Sequence, residues 1–452
     1  MKPNHLPAFK AYDIRGKWGE ELDAELVYRI GYFLPAILRT KRMLIGMDCR
    51  HSSPEIFHAL SEGMTDAGCD VLDMGYTTTP MVYWATGKLG TGGSVMITAS
   101  HNPGSHNGLK VSAKNVVPVG YDNGLDKVEA AITGGKEIKA TQSGQLEKVD
   151  MTKEYLAFLK NYTVDTGDLN ISVDLSNGMA GLFARQLFGD QAFYLNAEPD
   201  GSFPAHAPNP LEPDNQKQIK RAVLENRSDI GLIFDGDADR VMFIDEKGSF
   251  ISPDLIIALL GHYFFGERHE QGPVVQDIRT SRSVAAYLKR FGARMVTWKV
   301  GRAYGASKLQ EVDGIYGGEL AGHYYFRDFY YSDSGLLAAI LVLRIVNNFH
   351  RKGMTFSQLM DTISTYVSTG EVNFRIENKK EAMEAVRNHF MKTESPERFL
   401  DFDGYRFDFR NWWFNIRPSN TEPYLRFIAE ATDKPLLDEK TKIIFDLISK
   451  FS

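Results

Sequence analysis

Cysteine is almost absent from this chain: Cys49 and Cys69 are the only two in 452 residues. So thin a supply excludes a disulfide framework and fits a reducing compartment. Long apolar runs are missing too. The longest, Leu336 to Leu343, is closed by Arg344 and falls well short of the ~20 residues that span a bilayer, so it reads as a buried helix. The first ten residues, Met1 to Lys10, carry no apolar segment of the secretory kind. A cytoplasmic protein without a membrane partner is expected, and on that reading the sequons at Asn161 and Asn226 are chance matches. An excess of positive charge is missing too: the net charge is −6 and no long basic run occurs, which argues against a nucleic-acid surface. What remains is an ordinary globular composition, 43% hydrophobic and 24% charged, in a chain long enough for roughly three or four domains.

Acidic residues, by contrast, are concentrated. Asp235, Asp237 and Asp239 occupy alternate positions of Asp-Gly-Asp-Ala-Asp-Arg240, directly after the apolar run Gly231-Leu-Ile-Phe234. Three carboxylates on one short turn repel one another unless a cation sits among them, and a hard divalent ion such as Mg2+ or Ca2+ suits oxygen ligands. Arg240 beside a cation site makes sense when an anion, such as phosphate, bridges the two. A calcium-binding EF-hand is the rival, since Glu246 falls at position twelve. It fails because position six is Arg240, not glycine, and the apolar flanks read as strands. An acidic turn that is simply solvated is the plainer alternative.

A loose repeat sets out the architecture. Met43-Leu-Ile-Gly-Met-Asp-Cys-Arg50, Asn170-Ile-Ser-Val-Asp-Leu-Ser176 and Pro273-Val-Val-Gln-Asp-Ile-Arg279 each read as a buried strand ending in Asp. Downstream of each lies a second apolar strand before a loop rich in Gly or acid: Ser94–Ile97, Ile230–Phe234 and Gly314–Tyr316. Strands alternating with helices predict an α/β protein with mixed or parallel sheets, whose ligands gather beyond the carboxyl ends of the strands. We expect three similar α/β domains, residues 1–145, 146–248 and 249–367, and a smaller α+β domain, 368–452, around a central cleft. The last would hold a helix at Lys379–Lys392 and strands at Arg406–Phe409, Trp412–Ile416 and Tyr424–Glu430.

Each loop carries different chemistry. Thr98-Ala-Ser-His-Asn-Pro103 offers Ser100 as a nucleophile. A serine hydrolase would need a base and a Gly-x-Ser-x-Gly elbow; the elbow is missing and His101 is the serine's own neighbour. A serine together with a three-Asp metal site belongs in phosphoryl transfer. A phosphoserine, at about −1.5 to −2 charge, would then call for nearby cations, with Arg240, Lys110 and Arg15 as candidates. Lys110 could also act as acid/base if surrounding positive charge lowers its pKa. Gly317-Gly-Glu-Leu-Ala-Gly-His323 presents Glu319, able to accept from two vicinal hydroxyls, and His323. Arg417-Pro-Ser-Asn-Thr-Glu-Pro423 packs phosphate donors into one turn.

These segments, with Phe9-Lys-Ala-Tyr-Asp-Ile-Arg-Gly16, together resemble the α-D-phosphohexomutases, most closely the bacterial phosphomannomutase/phosphoglucomutase group. The resemblance runs from Phe9 to Pro423. It implies the same four-domain fold, a phosphoserine at Ser100 in a catalytic set with Lys110, Arg240, Arg15 and His101, and Mg2+ held by that phosphoserine with Asp235, Asp237 and Asp239. It implies substrate contacts from Tyr12, Arg279, Arg302, Glu319 and His323, and a grip on the distal phosphate by Arg417, Ser419, Asn420 and Thr421. The implied reaction interconverts mannose 6-phosphate and mannose 1-phosphate, glucose being the alternative, through a hexose 1,6-bisphosphate that also serves as activator. Such an enzyme would serve GDP-mannose biosynthesis, as a monomer or homodimer. Mannose is favoured by the likeness of Tyr324–Gly335 to phosphomannomutases. Three positions depart from the pattern: Arg302 stands where many relatives have His, Arg279 where Lys is common, and Ala321 where close relatives have Ser.

Overall fold

A computed structural model describes residues 5–137, 140–419 and 424–451. Three mixed sheets follow one another along the chain, and a fourth, fully antiparallel, closes it. In the first, the strands run in the order Ile14–Lys17, His106–Ala113, Gly93–Ile97, Arg42–Met47, Asp70–Tyr76, Leu146–Lys148. The second is ordered Phe250–Ile251, Val241–Asp245, Ile230–Phe234, Ile171–Asp174, Phe193–Leu195, and the third Arg294–Trp298, Pro273–Asp277, Tyr316–Gly318, Tyr324–Phe326.

The repeat read from the sequence has a common topology. Gly93–Ile97 runs parallel to Arg42–Met47 and antiparallel to His106–Ala113. Ile230–Phe234 is likewise parallel to Ile171–Asp174 and antiparallel to Val241–Asp245, and Tyr316–Gly318 is parallel to Pro273–Asp277 and antiparallel to Tyr324–Phe326. Each loop of interest therefore joins a parallel strand to the antiparallel strand that returns beside it. Such a loop lies at a strand's carboxyl end, where an α/β sheet offers its ligand sites.

The third of these strands is displaced from its expected place at Gly314–Tyr316. Gly317 and Gly318 belong to the strand, not the loop, because a Cβ on Gly317 would stand 2.6 Å from the Val275 carbonyl oxygen and one on Gly318 would stand 2.8 Å from Ile257. Only glycine lets this strand pack so closely.

Helix Gly335–His350 contains the apolar run Leu336–Leu343 and is buried, as expected; Ser334 caps it by accepting from Leu337 N–H. Its neighbours in one large core include Trp84, Tyr155, Phe183 and Phe329, contributed by segments of the first three sheets' surroundings. The fourth sheet keeps a separate aromatic core around Phe390, Phe407, Trp412, Phe414 and Phe427, covered by helices Lys379–Thr393 and Lys434–Ile448. Among the described residues no helix is long and apolar enough to cross a membrane.

Candidate active site

Ser100 follows the strand Gly93–Ile97 in a left-handed backbone conformation, φ 51°, and is almost wholly buried. Its N–H donates to Thr98 Oγ1 at 2.9 Å and its hydroxyl donates to Asp235 Oδ2 at 2.8 Å. Among the described residues the Ser100 hydroxyl donates to a carboxylate and not to an imidazole, unlike the serine-hydrolase arrangement. His101 Nδ1 is buried with no hydrogen-bond partner among the described residues, and burial, reinforced by Arg240, Arg15 and Lys110, pushes the imidazole well below its ordinary pKa.

Asp235, Asp237 and Asp239 are fully buried, and one oxygen from each lies within 4.8 Å of the others. Thr79, the first residue of helix Thr79–Leu89, donates its hydroxyl to Asp237 Oδ2 at 2.5 Å. Lys110 Nζ donates to the same oxygen at 2.6 Å and to Asp239 Oδ2 at 2.5 Å. Asp237 Oδ1 and Asp239 Oδ1 have no partner among the described residues. Burial raises all three carboxyls. For Asp237 and Asp239 the Lys110 charge helps to turn the balance downward, whereas Asp235 faces its two neighbours' charges and is pushed up to about 8. Two orphaned carboxylate oxygens beside a serine hydroxyl fit a hard divalent cation, Mg2+ foremost. The EF-hand reading is overturned: strands flank the turn, and Glu246 accepts from Ser357 N–H at 3.0 Å instead of completing the cluster.

Lys110 itself requires a correction. Its role as acid/base is conditional on nearby cations lowering its pKa. Burial does act in that direction, but Asp237 and Asp239 outweigh it, and the ammonium is held above the ordinary lysine range.

Arg240 donates from Nε to Asp235 Oδ2 at 3.0 Å, and its Nη2 is buried without a partner among the described residues. Arg15 reaches Asn102 Oδ1 at 3.0 Å and Asp13 Oδ2 at 2.5 Å, leaving Nε in the same state. An isolated bridge joins Arg240 to His323, so the second and third sheets meet here. His323 Nδ1 lies 2.6 Å from Asp333 Oδ2 and 3.9 Å from Asp239 Oδ1. Burial opposes its protonation, but Asp239 and Asp333 prevail and the imidazole pKa is raised. Arg302 opens helix Arg302–Glu311, with its guanidinium 5.0 Å from the centre of the Tyr83 ring and Nη1 3.9 Å from Asp333 Oδ1.

The remaining contacts form a chain through the third and fourth sheets. Glu319, nearly inaccessible, accepts from Gly301 N–H at 3.2 Å and from the Tyr325 hydroxyl, and burial raises its pKa. Tyr12 donates to the Val300 carbonyl at 3.1 Å, and Asp403 accepts from Val300 N–H at 2.7 Å and from Arg417 Nε at 3.2 Å. Arg417 Nη2 is buried with no partner among the described residues. Arg279 pairs with Asp277 at 2.8 Å and Glu371 at 3.0 Å. Ser419 N–H donates to the Tyr424 carbonyl, while Asn420 and Thr421 lie outside the described residues. Sequence reasoning missed Thr79, Asp333, Glu371 and Asp403, none of which carries a local motif.

The chain matches the phosphoglucomutase/phosphomannomutase family in all four of its parts: alpha/beta/alpha domains I, II and III at residues 7–139, 153–248 and 252–366, and the C-terminal domain at 371–446. It is 35% identical over 460 residues to a phosphomannomutase of Salmonella montevideo, covering 99% of this chain and 100% of that one. With phosphohexose mutases of Xanthomonas campestris it shares 36% identity over 453 residues, 98% and 99% of the two chains. An X-ray structure of a phosphoglucomutase/phosphomannomutase family protein from Burkholderia thailandensis superposes with a TM-score of 0.87 at 27% identity, over 99% of this chain and 98% of that one. With its four parts in order and its length fully matched, the chain belongs to the phosphoglucomutase/phosphomannomutase family and is a sugar-phosphate mutase.

Proposed function

We propose that this enzyme interconverts mannose 6-phosphate and mannose 1-phosphate, with the glucose phosphates as its second substrate pair, and that Ser100 carries the phosphoryl group. The observation that carries the reading is the Ser100 hydroxyl set 2.8 Å from Asp235 in a buried group of three carboxylates with two orphaned oxygens. The names of the Salmonella and Xanthomonas relatives favour a hexose phosphate, and the former favours mannose.

Mg2+ bound by Asp235, Asp237, Asp239 and the Ser100 oxygen would neutralise charge on the transferring group. A phosphoserine and three carboxylates carry roughly −5, of which one divalent cation removes two. Lys110 and Arg240 oppose most of the rest, so the buried guanidinium is a counterion and not a spare charge. In the forward step the bond from phosphorus to Ser100 Oγ breaks as one forms to the substrate's free hydroxyl. The resulting hexose 1,6-bisphosphate turns over and returns its other phosphoryl group to Ser100. The substrate hydroxyl gives up a proton and Ser100 Oγ takes one up; Lys110 would pass it between them if a divalent cation shared its carboxylate partners and so lowered its pKa. Glu319 reads ring hydroxyls, Arg417 with Ser419, Asn420 and Thr421 grips the distal phosphate, and Arg302 clamps phosphate at the reacting end. Tyr12, Arg279 and His323 complete the substrate contacts, and the enzyme works in the cytoplasm.

A coupled assay with Mg2+ and a trace of glucose 1,6-bisphosphate, comparing mannose 1-phosphate with glucose 1-phosphate, tests this reading. Turnover of the mannose substrate at the higher kcat/KM is expected. Silence on both, with no phosphorylated Ser100, would overturn it.

A further inference from the structure

We infer that Arg50 is the positioning residue of the phosphoryl-carrying loop, holding Ser100 in its left-handed conformation by gathering the loop's carbonyl groups onto one buried guanidinium. The inference rests on the proposed role of Ser100. Arg50 is wholly buried, and all five of its side-chain N–H groups are engaged. Nε donates to Asp48 Oδ2 at 3.0 Å; Nη1 donates to the carbonyls of Pro103 at 2.6 Å and His106 at 3.0 Å; Nη2 donates to those of Ser100 at 2.9 Å and Asn102 at 2.7 Å. No donor is left for a substrate, so the residue acts through the loop and not on the sugar phosphate.

The need for such a clamp follows from the backbone. A serine at φ 51° sits in a region that side chains disfavour, and such residues persist where the surroundings over-determine them. Four carbonyls of one short loop pointing at a single cation do that. Without the guanidinium the buried Ser100 carbonyl would lose this donor.

The clamp is itself braced on two sides. Asp48 Oδ1 accepts from Arg50 N–H at 3.0 Å and from the Ser53 hydroxyl at 2.7 Å, and Asn107 donates to Ser53 Oγ at 3.0 Å. From the second sheet's side, the Phe203 ring lies 4.9 Å from the guanidinium carbon. A Cβ on Gly201 would meet the Cys49 carbonyl at 2.3 Å, and one on Gly104 would meet the Gly201 carbonyl at 2.6 Å. The loop that carries Ser100 is thus wedged between Arg50 and the unit that supplies Asp235, which sets the serine-to-carboxylate distance on which phosphoryl transfer depends.

The test compares Arg50→Lys and Arg50→Ala with wild type in the full-length enzyme, with Asp48→Asn as a third variant. Lysine keeps the charge but loses the planar fork. A misplacement of about 1 Å costs on the order of 100-fold in rate. We expect kcat to fall about 100-fold in Arg50→Ala and at least tenfold in Arg50→Lys and Asp48→Asn, with KM within about threefold because the substrate grips are untouched. Millimolar guanidinium should restore at least tenfold of the loss in Arg50→Ala. Should that variant not fold, Arg50→Lys and Asp48→Asn decide the matter by the same split of kcat from KM. A kcat within threefold of wild type in the folded variants, or a raised KM at unchanged kcat, would overturn the clamp. So would a rate loss that guanidinium does not relieve and that tracks a fall in thermal midpoint. A wild type silent on both hexose phosphates would instead overturn the proposed function.

Discussion

At the scale of single residues, the candidate site holds buried oxygens and nitrogens with no hydrogen-bond partner among the described residues. On the proposed function Ser100→Ala should lose most turnover, because the covalent carrier would be gone while the binding loops remain. Intact-mass spectrometry after incubation with glucose 1,6-bisphosphate should show about +80 Da, one phosphoryl group, on wild type alone; activity retained in the alanine variant would remove Ser100 from the chemistry. If Asp237 holds a hard cation as proposed, Asp237→Asn should cut turnover at least about tenfold, roughly 1.4 kcal/mol, since a neutral amide would replace one of its ligands. Chelator should abolish activity and Mg2+ restore it, and full activity in EDTA would exclude the metal role. Arg302 cannot cycle a proton, so Arg302→Lys should raise KM more than it alters kcat, whereas Lys110→Met should cut kcat with modest change in KM. The reverse pattern would exchange the two roles. The Asp cluster, Ser100 and Glu319 could be singled out as candidates in the sequence because each concentrates its chemistry in a few consecutive residues. Lys110's protonation was not, since the carboxylates that decide it lie 127 and 129 positions away. Asp403 escaped for the same reason, since it lies 103 positions from Val300, whereas Asp333, ten positions from His323, escaped because it carries no motif of its own.

At the scale of elements, the loops are placed by strands that pack without side chains. Apolar runs ending in Asp announced the central strands, because a strand buried on both faces reads as continuous hydrophobicity. Edge strands such as Leu146–Lys148, exposed throughout, carry no such signal and went unread. Glycine within a strand shows close approach only when the neighbour is known. Gly108, in His106–Ala113, is the clearest case: a Cβ there would stand 2.3 Å from the Ile14 carbonyl oxygen and 3.0 Å from that of Thr98, both backbone atoms. Neither can swing aside as a side chain would. Gly108→Ala should therefore destabilise the first unit by about 1–3 kcal/mol, the usual cost of overpacking, and displace the strand on which Lys110 sits. Denaturant titration followed by the fluorescence of Trp18 and Trp84 would measure it. An unchanged first transition would mean that the strands part easily and the close contact is not a constraint.

At the scale of the whole molecule, the fourth unit is tied to the third by polar groups that have little access to water. Arg406 donates to the carbonyls of Ile278 at 2.7 Å and Thr280 at 2.8 Å, and stacks 3.8 Å from the centre of the Trp413 ring. Ser281 and Trp413 both donate to Glu430 Oε2, at 2.8 and 2.7 Å. Burial, with Asp254 nearby, raises the Glu430 carboxyl to about 7. Its proton is thus held more tightly in the folded protein than in the unfolded chain, where a glutamate titrates near 4.3. Between those two values the native state binds the extra proton, so its contribution to stability is fully present below about pH 4 and is lost as pH rises through 7. Glu430→Gln keeps an acceptor for Ser281 and Trp413 but has no proton to lose. Relative to wild type, the variant should gain about 3 kcal/mol more stability at pH 8 than at pH 4, a comparison in which every other titrating group cancels. Thermal or urea unfolding at the two pH values reads the difference directly. If the curves of wild type and the Glu430→Gln variant stay parallel across that range, the carboxyl titrates in the folded state as it does in the unfolded chain, and the tie between the two units does not weaken with pH through Glu430.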